Sequence, residues 1–409
     1  MSKPTQAQPN FESFDDMHAE TQLLHAGTLR SQFGEVSEAI YMNSGFCYDS
    51  AEIAESRFNG EAPGFVYSRY RNPSLAMLEE RLRVLEGAAA CVSLGSGMAA
   101  VFASMMSFLK TGDHVVANRV LFGSCHYIIT EVLPRFGITY ELVDGTDNVA
   151  WEAALKKPTN AVFIESPANP TLQLVDIAHV AALAHKHAGC QVIVDNIFAT
   201  PLSQRPFDLG ADIVIYSTTK YFDGQGRTLG GAILCKDVEF MEEYVLPFHR
   251  HTGPAMSTFN AWVLLKSLET LPMRWERHCE NANKIASMLA EHPAIKTIHY
   301  PGLETWGQHA LAKKQMKHFG AIIAFEFEGG KETAFAFMNA LRVIKISNNL
   351  GDAKSLITHP ASTTHSNIDE ATRNEIGITN GIMRLSVGLE NADDLLADIT
   401  NACEVACGA

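Results

Sequence analysis

The stretch that decides the fold runs Ile213-Val214-Ile215-Tyr216-Ser217-Thr218-Thr219-Lys220-Tyr221. Its first part is apolar, which predicts a strand that is covered on both faces. Its second part turns polar at once and contains a single lysine. Open α/β sheets bind ligands at the carboxyl ends of their strands, so this lysine is a candidate functional residue.

Four more short apolar runs occur in the chain, with helical patterns among them. Because these runs are apolar throughout, they favour a mostly parallel sheet with helices on both faces, which is an α/β fold. Leucines spaced three and four residues apart predict a helix that ends at Gly87. Residues 177–188 are typical of a crossover helix. The four runs are His114–Ala117, Ala161–Ile164, Val192–Val194 and Gly231–Leu234.

Acidic residues follow two other predicted strands. Glu165 comes directly after Ile164, and Asp195 comes directly after Val194. An acid after one strand and a lysine after a later one are what pyridoxal-phosphate (PLP) chemistry requires. The acid pairs with the pyridinium nitrogen and keeps the ring an electron sink, while the lysine forms a Schiff base. Glu165 and Asp195 are therefore candidates for the first role, and Lys220 is the candidate for the second.

The small-residue stretch Ser93–Ala100 is a candidate phosphate cradle because it leads into a helix. The N–H groups and the dipole of a helix N-terminus favour an anion, and hydroxyls from Ser217 and Thr219 would add donors. Each feature has an ordinary alternative. An aspartate that ends a strand is more often a cap, a glycine-rich turn is usually a connection, and a lysine after a strand is usually solvated. Their combination in this order favours a cofactor site.

The composition narrows the class of protein. The net charge of −14, without a basic run of five residues, argues against nucleic acid or an anionic membrane as a partner. No apolar stretch is long enough to span a membrane, and Met1–Gln6 does not have the pattern of a secretory signal. The eight cysteines form no Cys-x-x-Cys pair, so we expect reduced thiols in a cytoplasmic protein.

The histidines do not have the spacing of a metal site. His185 and His187 lie two residues apart on a predicted helix and so face different directions. His249 and His251 have no carboxylate or thiol at ligand spacing, and the chain has no His-Glu-x-x-His motif. The sequence therefore predicts no metal.

Changes of pattern along the 409 residues divide the chain into three parts. Residues 1–65 are polar and turn-rich and lack the periodicity for a core of their own, so we expect an N-terminal arm. Residues 66–255 contain the strand runs and form the predicted large domain. Residues 256–409, after the turn at Gly253-Pro254, begin with long helical patterns and form a smaller C-terminal α/β domain.

Several motifs, in one order from about Thr21 to Leu396, resemble the Cys/Met-metabolism family of PLP-dependent enzymes. That family includes cystathionine γ-synthase, cystathionine lyases, methionine γ-lyase and the homoserine-ester sulfhydrylases. The resemblance implies PLP fold type I, the aspartate-aminotransferase-like architecture, with PLP bound by the large domain. The motifs are Tyr67–Pro73, Ser96–Met98, Glu165–Pro170, Val194–Asn196, Ser217–Tyr221, His359–Ala361 and Arg384–Glu390.

The resemblance also implies a role for each matching residue. Lys220 is the Schiff-base lysine and Asp195 is the partner of the pyridine nitrogen. Arg384 clamps the substrate α-carboxylate, a role in which its fork geometry is superior to lysine. Asn169 contacts either the ring hydroxyl or that carboxylate. The remaining implied residues bind the phosphate (Ser96, Gly97, Met98, Ser217 and Thr219), stack on the cofactor ring (Phe122) or bind substrate (Asn349).

Tyr67 and Arg69 look like the pair that reaches the phosphate of a neighbouring subunit's cofactor. A bidentate arginine suits a phosphate dianion. If the pair acts on the neighbour, a monomer has an incomplete site. The family therefore implies a homotetramer, a dimer of dimers in which active sites are shared across each dimer.

Two positions depart from the cystathionine enzymes and methionine γ-lyase. Phe122 stands where those enzymes have a tyrosine over the ring, so a hydroxyl able to move protons is missing. Asn348–Asp352 stands where cystathionine enzymes tend to have Glu-Ser-Leu-Gly, so a glutamate that would bind a second amino group is missing. Both departures, and Asp223–Arg227 after the lysine, resemble the homoserine-ester sulfhydrylase branch.

The implied reaction is a γ-replacement in methionine biosynthesis, in which O-succinylhomoserine or O-acetylhomoserine reacts with sulfide to give homocysteine. The alternatives are a cystathionine γ-synthase or a methionine γ-lyase. A catalytically silent structural or regulatory member is disfavoured because Lys220 and Asp195 are both present. An aminotransferase of similar fold is disfavoured by the Tyr67/Arg69 motif. The choice of acyl group stays open, with Arg57 and Arg119 as candidate ligands.

Overall fold

The computed structural model describes Pro9 and residues 11–408. The segment Met1–Gln6, whose pattern differs from that of a secretory signal, lies outside the described residues. Within them, no helix combines the length and the apolar character needed to cross a bilayer. All eight cysteines lie in the described part of the chain as thiols outside disulfides, and six of them are buried.

Sixteen α-helices occur in the described part of the chain. They are α1 (Ala19–His25), α2 (Ala51–Asn59), α3 (Pro73–Glu86), α4 (Gly97–Met106), α5 (Gly123–Tyr127), α6 (Asn148–Ala154), α7 (Ile177–Ala184), α8 (Thr200–Ser203), α9 (Val238–Phe240), α10 (Leu246–Thr252), α11 (Thr258–Leu268), α12 (Leu271–Glu291), α13 (His309–Gln315), α14 (Gly330–Ala340), α15 (Glu370–Glu375) and α16 (Ala392–Cys407).

Twelve β-strands occur in the same part. They are β1 (Ala90–Leu94), β2 (His114–Asn118), β3 (Thr139–Val143), β4 (Ala161–Glu165), β5 (Gln191–Asp195), β6 (Ile213–Tyr216), β7 (Gly231–Cys235), β8 (Ile295–His299), β9 (Ile322–Phe327), β10 (Lys345–Ile346), β11 (Leu356–Thr358) and β12 (Ile382–Ser386).

The chain divides into two compact units. The first consists of Met1–Leu109, Asp212–Asp223 and Arg227–Leu271, and the second of Lys110–Ala211, Gly224–Gly226 and Pro272–Ala409. The boundaries drawn from the sequence at 65/66 and 255/256 stay a prediction.

The larger sheet has seven strands, and each unit supplies a group of them. The first unit has the order β1-β7-β6 and the second has the order β5-β4-β2-β3. All pairs in the second group are parallel, as the apolar runs predict. The run Gly231–Leu234 differs, because β7 is antiparallel to both β1 and β6. An apolar run shows that a strand is buried on both faces but does not reveal its direction.

The second unit also contains a five-stranded sheet with the order β10-β11-β12-β9-β8. Its middle strand β12 is antiparallel to β11 and β9, and every residue of β12 is buried. Arg384 lies in this strand. Its side chain is therefore held in a packed layer rather than on a loop.

The helix that the leucine spacing predicts is α3, and its ends follow the local chemistry. Asn72 caps the first turn by accepting a hydrogen bond from the backbone N–H of Ser74, and Pro73 occupies the first helical position. Gly87 ends the helix in the left-handed conformation at φ +74°, as predicted. The crossover helix α7 ends four residues earlier than predicted, and Gly189 at φ +78° completes the exit.

A buried carboxylate ties the N-terminal segment to α3 and α11 within the first unit. Glu38 pairs with Arg81 and with Lys266, each at 2.6 Å, and its backbone oxygen accepts a hydrogen bond from Trp262 at 2.8 Å. Burial alone raises the pKa of Glu38, but the hydrogen bond from Lys266 and the charge of Arg81 outweigh it and lower the pKa to about 2. The arm is thus anchored by an ion triad.

Replacing Glu38 with glutamine is expected to lower the free energy of unfolding by about 3 kcal/mol at pH 7, because a drop of the pKa from 4.5 to about 2 corresponds to that energy. The pKa is depressed in the folded state, so the stabilisation is present above pH 4.5 and is lost as the pH falls toward 2. Urea denaturation of the parent and the variant at pH 7 measures this difference, which should shrink when the measurement is repeated as the pH is lowered from 4.5 toward 2. The control is Glu280→Gln, which breaks an exposed pair with Arg277 and should change stability by less than about 0.5 kcal/mol. Equal losses in both variants would contradict the buried-triad interpretation.

Candidate active site

In the first unit, the start of α4 forms a cradle of backbone N–H groups. Ser96 is the N-cap, and its Oγ accepts a hydrogen bond from the backbone N–H of Ala99 at 3.1 Å. A Cβ atom built on Gly97 would lie 2.6 Å from the Cβ of Ser217, so only glycine allows this approach. The N-terminus of α4, with Gly97 and Met98, therefore lies against Ser217, and this arrangement suits an anion.

The turn after β6 carries the candidate lysine. The N–H of Lys220 bonds to the carbonyl of Ser217, and the N–H of Thr218 bonds to the carbonyl of Gly230. Thr219 Oγ1 accepts the N–H of Gly230 at 3.1 Å and lies 3.3 Å from its carbonyl. These bonds hold the turn and leave Lys220 half-buried at the end of a strand. The phosphate role of Thr219 stays a prediction.

Tyr67 and Arg69 lie together on the loop that precedes α3. The guanidinium of Arg69 lies 5.5 Å from the ring centre of Tyr67 and 4.8 Å from that of Tyr70, within cation–π range. Its Nη1 donates to the carbonyl of Arg250. Tyr67 stays 43% exposed. The pair is thus ordered locally, and the tyrosine is accessible from outside the subunit.

In the second unit, two buried acids end neighbouring parallel strands. Glu165 ends β4, and Asp195 ends β5 directly opposite it in the register. One carboxylate oxygen of each and the sulfur of Cys125 all lie within 4.8 Å of one another. Burial, together with the negative charge of the neighbouring acid, raises the pKa of Glu165, and burial raises that of Asp195. Such a pair readily retains a proton or accepts a cation.

The same cluster could be mistaken for a metal site. Burial and the two acids raise the pKa of the Cys125 thiol well above its ordinary value, so it stays protonated and is a poor metal ligand. Both oxygens of Glu165 already accept backbone N–H groups. This donor set suits a cationic ring nitrogen better than a metal ion.

Glu165 also holds the backbone of two candidate residues. Its Oε2 accepts the N–H of Phe122, and its Oε1 accepts the N–H of Asn169, both at 2.8 Å. The phenyl ring of Phe122 and the amide of Asn169 are therefore anchored on the carboxylate that lies beside Asp195.

Arg384 is enclosed by the other predicted substrate residues. Its Nη1 donates to Asn169 Oδ1 at 3.0 Å, and its Nη2 donates to the carbonyls of Asn348 at 2.9 Å and Asn349 at 3.2 Å. The side chain is 2% exposed. The structure thus brings Arg384, Asn169 and Asn349 together in one cluster, here called the Arg384 clamp, and its binding of a substrate carboxylate stays a prediction.

The turn 224–226 and the segment that begins at Asn348, both of which lie in stretches resembling the sulfhydrylase branch, touch within the second unit. A Cβ atom on Gly226, which has φ +65°, would lie 2.6 Å from Asp352 Oδ2 and 3.9 Å from Asn349 Nδ2. The N–H of Ala353 bonds to the carbonyl of Gly224 at 2.8 Å. The turn 224–226 therefore supports the loop whose carbonyls hold Arg384.

Sequence reasoning missed His365, which is buried beside the clamp. Burial and then the charge of Arg384 lower the pKa of His365 to about 4, so the ring is neutral at pH 7. Its Nδ1 lies 2.8 Å from Thr364 Oγ1. Sequence reasoning also treated Glu165 only as an acid at a strand end, although its place opposite Asp195 follows once β4 and β5 are paired.

Of the two arginines that are candidate ligands of the acyl group, one already pairs with carboxylates of the protein. Arg119 pairs with Glu375 at 2.6 Å and with Asp144 at 3.1 Å, so its guanidinium neutralises two surface carboxylates. Arg57 stacks over the ring of Tyr48 at 5.5 Å. Of the two candidates, Arg57 is the one with no carboxylate within ion-pair distance in the described part of the chain.

A known protein family matches most of this chain. The family described as Cys/Met metabolism PLP-dependent enzyme matches residues 20–404. An O-succinylhomoserine sulfhydrylase of Mycobacterium tuberculosis is 51% identical over 383 residues, which cover 93% of this chain and 94% of that protein. An L-methionine gamma-lyase of Fusobacterium nucleatum is 41% identical over 384 residues, which cover 94% of this chain and 97% of that protein.

A solved structure has the same fold. It is a protein of Campylobacter jejuni that has been proposed to be an O-acetylhomoserine (thiol)-lyase and that contains N′-pyridoxyl-lysine-5′-monophosphate. The TM-score is 0.90 at 34% sequence identity, and the match covers 95% of this chain and all of that one.

Proposed function

Because the chain belongs to the Cys/Met metabolism family of PLP-dependent enzymes, we propose that it replaces the acyloxy group of a homoserine ester with sulfide and so forms homocysteine. The fold type I architecture predicted from the sequence is confirmed by the similarity to solved enzymes of this kind. The proposed substrate is O-succinylhomoserine, or alternatively its O-acetyl counterpart, in methionine biosynthesis.

The observation that carries the proposal is the composition of the Arg384 clamp. Its other members are an asparagine side chain and two backbone carbonyls, from Asn169, Asn348 and Asn349. A second amino acid, such as the cysteine used by a γ-synthase, would introduce an additional ammonium group that needs a carboxylate. Sulfide introduces no such group. The similarity to the sulfhydrylase supports the same choice over the lyase.

The residues of each unit fit PLP. The cradle at Gly97 and Ser217, which a Cβ atom would fill, suits the phosphate, and Lys220 supplies the amine. Asp195 is a buried acid with a raised pKa, so a cationic ring nitrogen would compensate its charge, and Phe122 offers an aromatic face. When bound, PLP supplies an electron sink for the substrate carbon atoms.

We assign the proton transfers to Lys220. Its Nζ would carry protons away from Cα and Cβ as the acyloxy group leaves Cγ with the bonding electron pair, and would return them once sulfide has bonded to Cγ. Arg384 holds the α-carboxylate and so orients the Cα–H bond. Phe122 has no hydroxyl to protonate a leaving sulfur, which fits departure of a carboxylate instead.

We further propose a homotetramer, built as a dimer of dimers, in which Tyr67 and Arg69 complete the phosphate site of the neighbouring subunit. The exposure of Tyr67 supports this role. Apolar side chains of the arm support a subunit interface, since Phe33 is 84% exposed and Val36 is 91% exposed. We propose the cytoplasm as its location, in line with eight cysteines that remain reduced thiols.

The test is product identification with the purified protein supplied with PLP. Each ester is mixed with sulfide or with cysteine, and methionine is tested alone. We expect homocysteine from an ester and sulfide at a rate at least about tenfold above any cystathionine from cysteine. Equal use of cysteine would indicate a γ-synthase instead. Rapid release of methanethiol from methionine would indicate a γ-lyase.

A further inference from the structure

Glu165 is buried, and both of its carboxylate oxygens accept hydrogen bonds from the backbone of predicted site residues. Oε1 accepts the N–H of Asn169, and Oε2 accepts the N–H of Phe122. The side chain of Asn118 in turn fixes Glu165, because its Oδ1 accepts the N–H of Glu165 at 3.0 Å and its Nδ2 donates to the carbonyl of Val120. Asn118 therefore fixes the backbone position from which the Glu165 carboxylate extends.

The same carboxylate lies beside Asp195. The parallel register sets the two residues opposite each other, and their carboxylate oxygens lie within 4.8 Å. Two negative charges at this distance in a buried site repel strongly unless a proton or another cation lies between or beside them. A cation bound by Asp195 is therefore attracted by both acids.

A further contact extends the effect of Glu165 to the clamp. The backbone of Asn169 is bound to Glu165, while its side-chain oxygen accepts a hydrogen bond from Arg384. A shift of Asn169 would move one of the acceptors that fix the guanidinium. Glu165 thus connects to the ring-stacking, carboxylate-binding and nitrogen-binding residues by one contact or two.

We propose that Glu165 is a positioning residue of this active site, whose carboxylate sets Phe122 and Asn169 and adds a second negative charge beside Asp195. The inference rests on the proposed function, because it assumes that a PLP ring nitrogen is the cation at Asp195.

Two substitutions distinguish the effect of the negative charge of Glu165 from the effect of its side-chain length. In Glu165→Gln the charge is lost, and the amide nitrogen would face one of the two N–H donors, which leaves that donor without an acceptor. In Glu165→Asp the charge stays, but the chain is one methylene shorter and cannot reach both N–H groups. Asp398→Asn is the matched control, because Asp398 is also buried and accepts the N–H groups of Arg342, Val343 and Ile344.

The experiment titrates the apo form of each full-length variant with PLP and follows the visible circular dichroism of the bound cofactor. We expect the Kd of PLP to rise at least about tenfold in Glu165→Gln and less than about threefold in Glu165→Asp. The dichroism should weaken in both variants, because Phe122 is no longer held in a fixed position against the cofactor ring. In steady-state kinetics, Glu165→Asp should raise KM for the ester more than it lowers kcat, because the shifted Asn169 loosens the clamp.

The control Asp398→Asn should lose thermal stability but keep the parent's Kd and dichroism. The proposal is overturned if Glu165→Gln binds PLP as tightly as the parent, or if Asp398→Asn weakens binding equally. Failure of the proposed function looks different. In that case the parent protein itself binds no PLP, or binds it and converts neither ester.

Discussion

Replacing Lys220 with alanine is expected to lower kcat by at least about a thousandfold and to remove any covalent link between protein and PLP. The size follows from the loss of the group that moves both substrate protons, since a positioned acid–base contributes about 10² to 10⁴ in rate. It follows further from the loss of the imine that binds the cofactor. Borohydride reduction followed by mass spectrometry of the intact protein measures the link, and steady-state assays measure kcat.

The control for this change is Lys236→Ala. Lys236 directly follows β7 and is exposed, so its loss should leave the rate and the reducible mass label unchanged. A Lys220→Ala protein with the parent's visible spectrum and rate would remove the basis of the whole assignment.

Replacing Arg384 with lysine is expected to lower kcat/KM for the ester about a hundredfold, mainly through a higher KM. Lysine keeps the positive charge but presents one nitrogen, so it cannot bind a carboxylate bidentately and also satisfy Asn169 and the two carbonyls. Unpaired buried acceptors add about 1–3 kcal/mol to the loss. Initial rates over a range of ester concentrations give kcat and KM separately.

Arg119→Lys is the matched control for this prediction. Arg119 binds two carboxylates at the surface of the same unit, and its change should alter kcat/KM less than about threefold. If Arg384→Lys kept the parent's KM while Arg119→Lys raised it, the carboxylate clamp would have to be reassigned. Thermal melting of both variants checks that β12 still packs.

Much of the fold was predictable because its strands are short and buried on both faces. All five predicted runs in the larger sheet are strands in the structure, with ends within one residue or two. The strand β1 was not predicted, because Ala90–Leu94 mixes small and polar residues and adjoins the glycine-rich turn. The edge strand β3 was not predicted either, since Thr139–Val143 is partly exposed and has no sustained apolar run.

The predicted site residues differ in whether a local sequence pattern indicates them. Asp195 and Lys220 are marked locally, since each follows an apolar run by a residue or a few. Phe122 has no such mark and was identified only through a resemblance. The contact of Arg384 with Asn169 joins residues 215 positions apart, so no local pattern could indicate it.

By itself, the amino-acid sequence determined an α/β fold with acids and a lysine at strand ends, because apolar runs and the polar residues that follow them are local features. The expectation of a PLP enzyme became specific only through the resemblance of several motifs to a known family. Tertiary structure alone decided that Glu165 faces Asp195, that Glu165 holds Phe122 and Asn169, and that Arg384 is enclosed by an amide and two carbonyls. The physical reason is that strand register and sheet packing bring these groups together. Register depends on which distant segments pair, and the sequence of one strand does not identify the strand that pairs with it.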